Sequence, residues 1–272
     1  TLRSLRWRLR CCARDGGDMM QLVLSLFPGI GLLDLAFEAE GFCVVRGPDL
    51  LWGGDIRNFN PPSGRFDGVI GGPPCQIFSR MRHIQPKAGQ KHGNMIPEFE
   101  RVVLSATPSW FVMENVIDAP TPTVHGYVVR PELIRDVWVG GETTRLRRFS
   151  FGTRGGARLP IEVLALHRTD AGPAMLAGGG GRRIPVALGG TGKRKKTLED
   201  GRTVRCGPHN GTRAPLEDLL RAQGLPTGFL AAAPFTLTGK VHAIGNGVPL
   251  PMGRAVARAV KQAMGYPLEA TA

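Results

Sequence analysis

The 272-residue chain has no apolar run of membrane-spanning length, and no short apolar core behind a basic start that would mark a secretory leader. The sequence therefore predicts no membrane partner. Cysteine is scarce: Cys11, Cys12, Cys43, Cys75 and Cys206. The number is odd and no pair stands at ligand spacing with a histidine, which argues against a disulfide framework and against a zinc module. A reducing, cytoplasmic setting fits. Acidic residues are few beside basic ones, 22 against 35, and the formal charge of +13 points to a polyanionic partner. Internal repeats of solenoid period are missing as well.

The length suits one large domain or a domain with an inserted lobe. The positive charge is concentrated. Residues 151–213 hold twelve Lys/Arg against four Asp/Glu, and residues 1–18 hold five Arg against two Asp, so the remainder is nearly neutral. Residues 1–18 read as a disordered or extraneous extension ahead of Met19 or Met20. Residues 19–151 read as a catalytic and cofactor-binding domain. A glycine-rich, basic stretch over 152–212 reads as a small recognition lobe, and 213–272 as the segment that completes the domain.

Residues 21–27 form an apolar run ending in Pro-Gly, a buried first strand. Leu32, Leu35, Ala36 and Ala39 recur at helical spacing over 31–41, and Gly41 stands just past the end. Residues 42–45 read as a second strand. Strand, glycine loop, helix, strand is the opening of a doubly wound nucleotide-binding sheet, so the expected class is α/β and Rossmann-like. Further strands are expected at 66–70, 110–113 and 144–151, and helices at 99–105, 215–223 and 249–264. The loop Phe27-Pro28-Gly29-Ile30-Gly31 lets backbone amides approach a ligand closely. Two glycines do not separate a dinucleotide from another adenosyl cofactor. Asp34 occupies the place of the third glycine of a dinucleotide fingerprint, which argues against hydride transfer. Asp49 is the nearest acid for ribose hydroxyls after the second strand, or else an ordinary loop carboxylate.

The run 71–79, Gly-Gly-Pro-Pro-Cys-Gln-Ile-Phe-Ser, follows the strand 66–70 and presents Cys75 at its carboxyl end on a stiff turn. A lone cysteine in such a turn is commonly packing. Here Arg80, Arg82, His83, Lys87 and Lys91 follow and would favour a thiolate, and residues 79–94 could close over a substrate. Glu114 ends the strand 110–113, which places a carboxyl at the same sheet edge as the thiol. Arg145 and Arg147 alternate along a strand and so share one face, where an arginine fork could hold a carbonyl or a phosphate.

These segments, with Glu114-Asn115-Val116, Arg145-Leu146-Arg147, Gln223-Gly224-Leu225-Pro226 and Gly245-Asn246-Gly247-Val248-Pro249, stand in an order that resembles the DNA (cytosine-5) methyltransferases over about residues 21–264. The resemblance implies S-adenosyl-L-methionine as cofactor, double-stranded DNA as partner and a monomeric enzyme of restriction–modification type. Cys75 would add to carbon 6 of a flipped-out cytosine. Glu114 would contact N3, for which it must carry or share a proton. Arg145 and Arg147 would hold O2 or a phosphate. Phe27, Gly29, Ile30, Gly31, Asp49, Asp55, Ile56, Pro74, Asn246 and Val248 would line the cofactor site, Asp55 facing the adenine amino group. The family has glutamine two residues before the first arginine, where this chain has Thr143. The same chemistry on RNA, and a non-catalytic DNA-binding protein of this fold, are the alternatives.

Overall fold

The structure is a computed structural model that describes residues 20–75, 77–78, 93–164, 194–197, 203–206 and 215–268. In chain order the elements are β1 (Leu22–Leu26), α1 (Leu32–Ala39), β2 (Cys43–Arg46), β3 (Gly68–Gly71), α2 (Ile96–Ala106), β4 (Trp110–Asn115), β5 (Val128–Arg135), β6 (Leu146–Thr153), β7 (Arg194–Thr197), β8 (Thr203–Cys206), α3 (Leu216–Arg221), α4 (Leu237–Asn246) and α5 (Leu250–Met264). Six strands form one sheet in the order β2-β1-β3-β4-β6-β5, and β7 and β8 pair as a separate antiparallel hairpin. The first four strands of the large sheet are parallel; β6 runs antiparallel to both β4 and β5. This is the expected Rossmann-like α/β class.

The strands read as unbroken apolar runs because both sheet faces are covered. Successive residues point to opposite sides. Val23, Ile70, Trp110, Val112, Phe149 and Phe151 pack with Phe37 of α1 and with Met252, Val256 and Val260 of α5. Leu24, Leu26, Val69, Phe111 and Met113 pack on the other side with Phe99, Val102 and Val103 of α2. Each such side chain, once fully buried, stabilises the fold by about 1.5–3 kcal/mol. A third cluster joins Leu32 of α1 to Leu219 and Leu220 of α3 and to Val241 and Ile244 of α4. The residues after 215 therefore close over α1. Among the described residues no helix is long and apolar enough to cross a membrane.

Several expectations shift. The buried arc of α1 is Leu32, Asp34, Ala36 and Phe37, and Ala39 is exposed. The helix is covered from two sides, so its inner arc is wider than one stripe. β4 continues through Glu114 to Asn115. β5 was not anticipated: Pro131 and its charges disguise it, and they are tolerated because β5 is an edge strand. α4 was not anticipated either, since Gly239 and Gly245 weaken its signal; Thr236 caps it by accepting from the Gly239 N–H at 3.1 Å. Thr153 completes β6 and Leu159 is buried beside the sheet. Most of 152–212, the segment 1–18, and Arg80, Arg82, His83, Lys87 and Lys91 lie outside the described residues.

Candidate active site

β1 lies between β2 and β3, so the strand order reverses there and a crevice opens at the carboxyl ends of β1 and β3. The registers align Leu26 with Gly71, and Gly71 with Met113. The loop 27–31, the turn carrying Cys75 and the carboxyl of Glu114 consequently meet along one sheet edge. β6 runs the other way, so its beginning reaches that edge and brings Arg147 with it; Glu114 stands opposite Phe149.

The glycine loop is held in a special backbone. Phe27, Gly29 and Gly31 have φ of 55°, 56° and 81°. For Phe27 the left-handed region costs about 1–2 kcal/mol. A Cβ added at Gly29 would meet no atom within 4 Å, so the loop leaves open space there. At Gly31 the Arg46 guanidinium fills the place a Cβ would take. Arg46 Nε pairs with Asp34 Oδ2 at 2.8 Å, and Ser25 Oγ donates to Asp34 Oδ1 at 2.5 Å. Burial pushes the Asp34 carboxyl above its ordinary value, against the pull of Ser25 and Arg46. This group ties β1, α1 and β2 together beneath the loop.

Asp49 is a staple for the loop. Its Oδ2 accepts from the Gly29 N–H at 2.9 Å and its Oδ1 from the Leu51 N–H at 2.7 Å. Trp52 donates from Nε1 to the Gly29 carbonyl at 2.7 Å while 57% of the residue stays exposed, with the Phe235 ring 5.9 Å away. Asp55 accepts from the Arg57 backbone and guanidinium, which holds its carboxyl below the usual range. The Ile56 side chain is core, packed with the α2 cluster. Ile30 packs toward α3 and α4, Val248 is buried beside α5, and Asn246 is exposed at the end of α4. Pro74 is half-buried in the Cys75 turn. Sequence reasoning missed the Ser25–Asp34–Arg46 group, whose members are far apart in the chain. It also missed Trp52, whose only signal was a lone aromatic in a glycine-rich loop.

The thiol end is equally fixed. Asn115 Nδ2 donates to the Pro73 carbonyl at 3.2 Å, which ties the Pro-Pro-Cys turn to the end of β4. A Cβ on Gly72 would stand 3.2 Å from Glu114 Oε2, so any larger residue there would press on the carboxyl. Arg147 Nε pairs with Glu114 Oε1 at 2.9 Å. Arg148 donates to the Ile117 and Ala119 carbonyls and pins the segment after β4. Arg145 is 2% exposed and donates from Nη1 to the Gly245 carbonyl at 2.9 Å. The edge thus gathers Cys75, Glu114 and Arg147, while Arg145 lies inward of them.

Burial pushes the Cys75 thiol up, the Glu114 carboxylate adds to that push, and Arg147 and Arg145 oppose it. The basic residues expected to favour a thiolate, Arg80, Arg82, His83, Lys87 and Lys91, lie outside the described residues; among those described the net push is upward. The sign gives a test. Because the thiolate is the reactive form, iodoacetamide labelling of Cys75 reaches half its limiting rate at a higher pH than a free cysteine does. Glu114→Gln moves that midpoint down and Arg147→Met moves it up. Labelling that titrates below an ordinary thiol contradicts this electrostatic account.

Comparison with known proteins follows the same lines. Residues 52–123 match the family model described as C-5 cytosine-specific DNA methylase. The chain is 31% identical over 123 residues to the type II methyltransferase M.HgiGI of Herpetosiphon aurantiacus, covering 38% of this chain and 95% of that protein. It is 28% identical over 165 residues to the type II methyltransferase M.HgiDI of the same organism, covering 49% and 52% respectively. The chain spans about half the length, or less, of most curated relatives it matches. In fold it is similar to the Entamoeba histolytica methyltransferase EhMeth, with a TM-score of 0.56 at 12% identity over 91% of this chain and 99% of that one.

Proposed function

The chain belongs to the C-5 cytosine-specific DNA methylase family, and we propose that it transfers a methyl group from S-adenosylmethionine to carbon 5 of cytosine in double-stranded DNA through a covalent adduct on Cys75. The observation that carries this reading is the meeting of the Cys75 turn, Glu114 and Arg147 at one sheet edge, beside an open glycine loop. The loop fits an adenosyl cofactor. Gly29 faces unfilled space, the first turn of α1 follows directly, and each Asp49 oxygen can accept a second hydrogen bond in addition to its loop amide. Phe27, Gly29, Ile30, Gly31, Asp49 and the backbone of Asp55 and Ile56 would hold it, with Pro74, Asn246 and Val248 bounding the space. The exposed Trp52 ring offers a flat face on which an adenine could stack. Bound there, S-adenosylmethionine supplies an electrophilic methyl group.

The chain's own residues act on the base. Carbon 5 of cytosine is a poor nucleophile until a thiolate adds to carbon 6 and makes the ring enamine-like. Cys75 supplies that thiolate, its proton passing to water before the carbon–sulfur bond forms. Glu114 carries or shares a proton at N3 and offsets the charge that builds there as the carbon–sulfur bond forms. Arg147 orients Glu114 through the 2.9 Å pair and has further N–H groups for the base or a phosphate. After carbon 5 has been methylated, its proton leaves to water and the Cys75 thiolate is expelled, which restores the aromatic ring. Duplex cytosine must leave the stack to reach this edge. The basic stretch between 151 and 213 would contact phosphates, so affinity should fall steeply with salt.

Bisulfite sequencing of DNA from cells that express the chain tests the reading directly. Protected cytosines in a fixed sequence context are expected. Methyl incorporation into RNA with none into duplex DNA favours the RNA alternative, and incorporation into neither contradicts both.

A further inference from the structure

We infer that Arg145 is a positioning residue for the methyl-donor side of the site, acting through the end of α4 and not by contact with DNA; the inference rests on the methyltransferase reading above. The last carbonyls of a helix have no donor within it. At the end of α4 two buried side chains supply donors from elsewhere in the chain. Gln223 Nε2 donates to the Ile244 carbonyl at 3.2 Å, and Arg145 Nη1 donates to the Gly245 carbonyl at 2.9 Å. The two donors are 1% and 2% exposed. The Gln223 carbonyl in turn accepts from the Leu250 N–H at 2.9 Å, which fixes the start of α5. A cation at this end also suits the helix dipole.

Residues 246–248 leave this pinned end and run straight to α1. Gly247 lies so close to Leu32 that a Cβ there would overlap the Leu32 side chain. Leu32 is the first residue of α1 and follows the glycine loop directly. A shift at the end of α4 is therefore a shift of the loop's own helix. The corner that carries Arg145 is itself rigid. Thr143 donates from its backbone N–H and its Oγ1 to buried Asp136 Oδ2 at 3.0 and 2.7 Å, and the Asp136 N–H donates to the Arg145 carbonyl at 2.9 Å. Burial pushes the Arg145 guanidinium down to about 9, so it remains cationic at neutral pH. A side chain this enclosed cannot reach a groove phosphate without opening the core. Arg147, two residues on, is half-buried beside Glu114 and keeps that access.

Arg145→Lys and Arg147→Lys in the full chain separate the two roles, with KM measured independently for S-adenosylmethionine and for duplex DNA. Arg145→Lys is expected to raise the donor KM about tenfold and to leave the DNA KM within about twofold. Arg147→Lys is expected to show the opposite split. A raised DNA KM with an unchanged donor KM for Arg145→Lys overturns the proposal. Should that variant not fold, Gln223→Ala supplies the same comparison: it weakens the same helix end, and an unchanged donor KM counts against the proposal. A wild-type chain that binds no donor by calorimetry and methylates nothing refutes the parent reading instead. The pinning is then read from amide hydrogen exchange, where Arg145→Lys must accelerate Gly247 and Leu250 more than the α2 amides; equal acceleration overturns it.

Discussion

Cys75→Ala abolishes the denaturation-resistant adduct with a fluorinated-cytosine duplex and lowers methyl transfer by a factor on the order of 10³ or more. The size follows from the chemistry. Without the carbon–sulfur bond, carbon 5 has no enamine character, and Cys43, the other free cysteine whose side chain the structure describes, begins β2 at the opposite end of its strand. The same substitution should change folding stability by about 1 kcal/mol or less, because Cys75 is half-buried and its turn is set by Pro73, Pro74 and the Asn115 bond. Mass spectrometry of the trapped complex and thermal unfolding together check both halves. Full methylation by the alanine variant contradicts the mechanism, whereas a collapse in stability would show that the turn depends on the sulfur.

A large effect on folding is expected at Gly68. It pairs with Val23 on one side and Trp110 on the other, inside the sheet. A Cβ at this position falls within the Trp110 indole. The indole cannot swing away, since Phe37 stacks on it with centroids 6.2 Å apart and Phe42 meets it edge-on at 5.8 Å. Gly68→Ala should therefore cost about 3 kcal/mol, at the upper end for overpacking, and lower Tm by about 10 °C. Adding Trp110→Leu should recover part of the loss, although Trp110→Leu alone destabilises, which is the signature of a direct clash. A Gly68→Ala protein with unchanged Tm means that the β3–β4 spacing differs from the one described.

What the sequence made legible is local. The Cys75 turn is written in two glycines and two prolines within five residues, and the first strand–loop–helix unit in a short run of apolar spacing. These features determine their own backbone before anything packs on them. The strand ends put Cys75 and Glu114 at one edge, and the resemblance to a known family added Arg147 to them. What was missed depends on partners far away. Asp34 is buried with two partners that spacing does not reveal, Ser25 nine residues before it and Arg46 twelve residues on. Arg145 looked like a surface fork because its acceptor is a helix carbonyl 100 residues later. β5 carries a proline and charges that argue against a strand until its place at the sheet edge is known. The upward push on the thiol was not legible for a related reason: the sequence displays nearby charge, but burial is a property of the assembled fold.

The order in which the chain is synthesised gives the α1–α5 contact a consequence for biogenesis. Gly253 lets the two helices approach so closely that a Cβ there would overlap Ala36. Until residues 250–264 have left the ribosome, the apolar flank of α1 and one side of the sheet face water, Phe37 and Trp110 included. Exposed apolar surface of this kind is what drives association of partly folded chains. Premature termination between β6 and α5 leaves the thiol turn encoded but one face of the sheet uncovered.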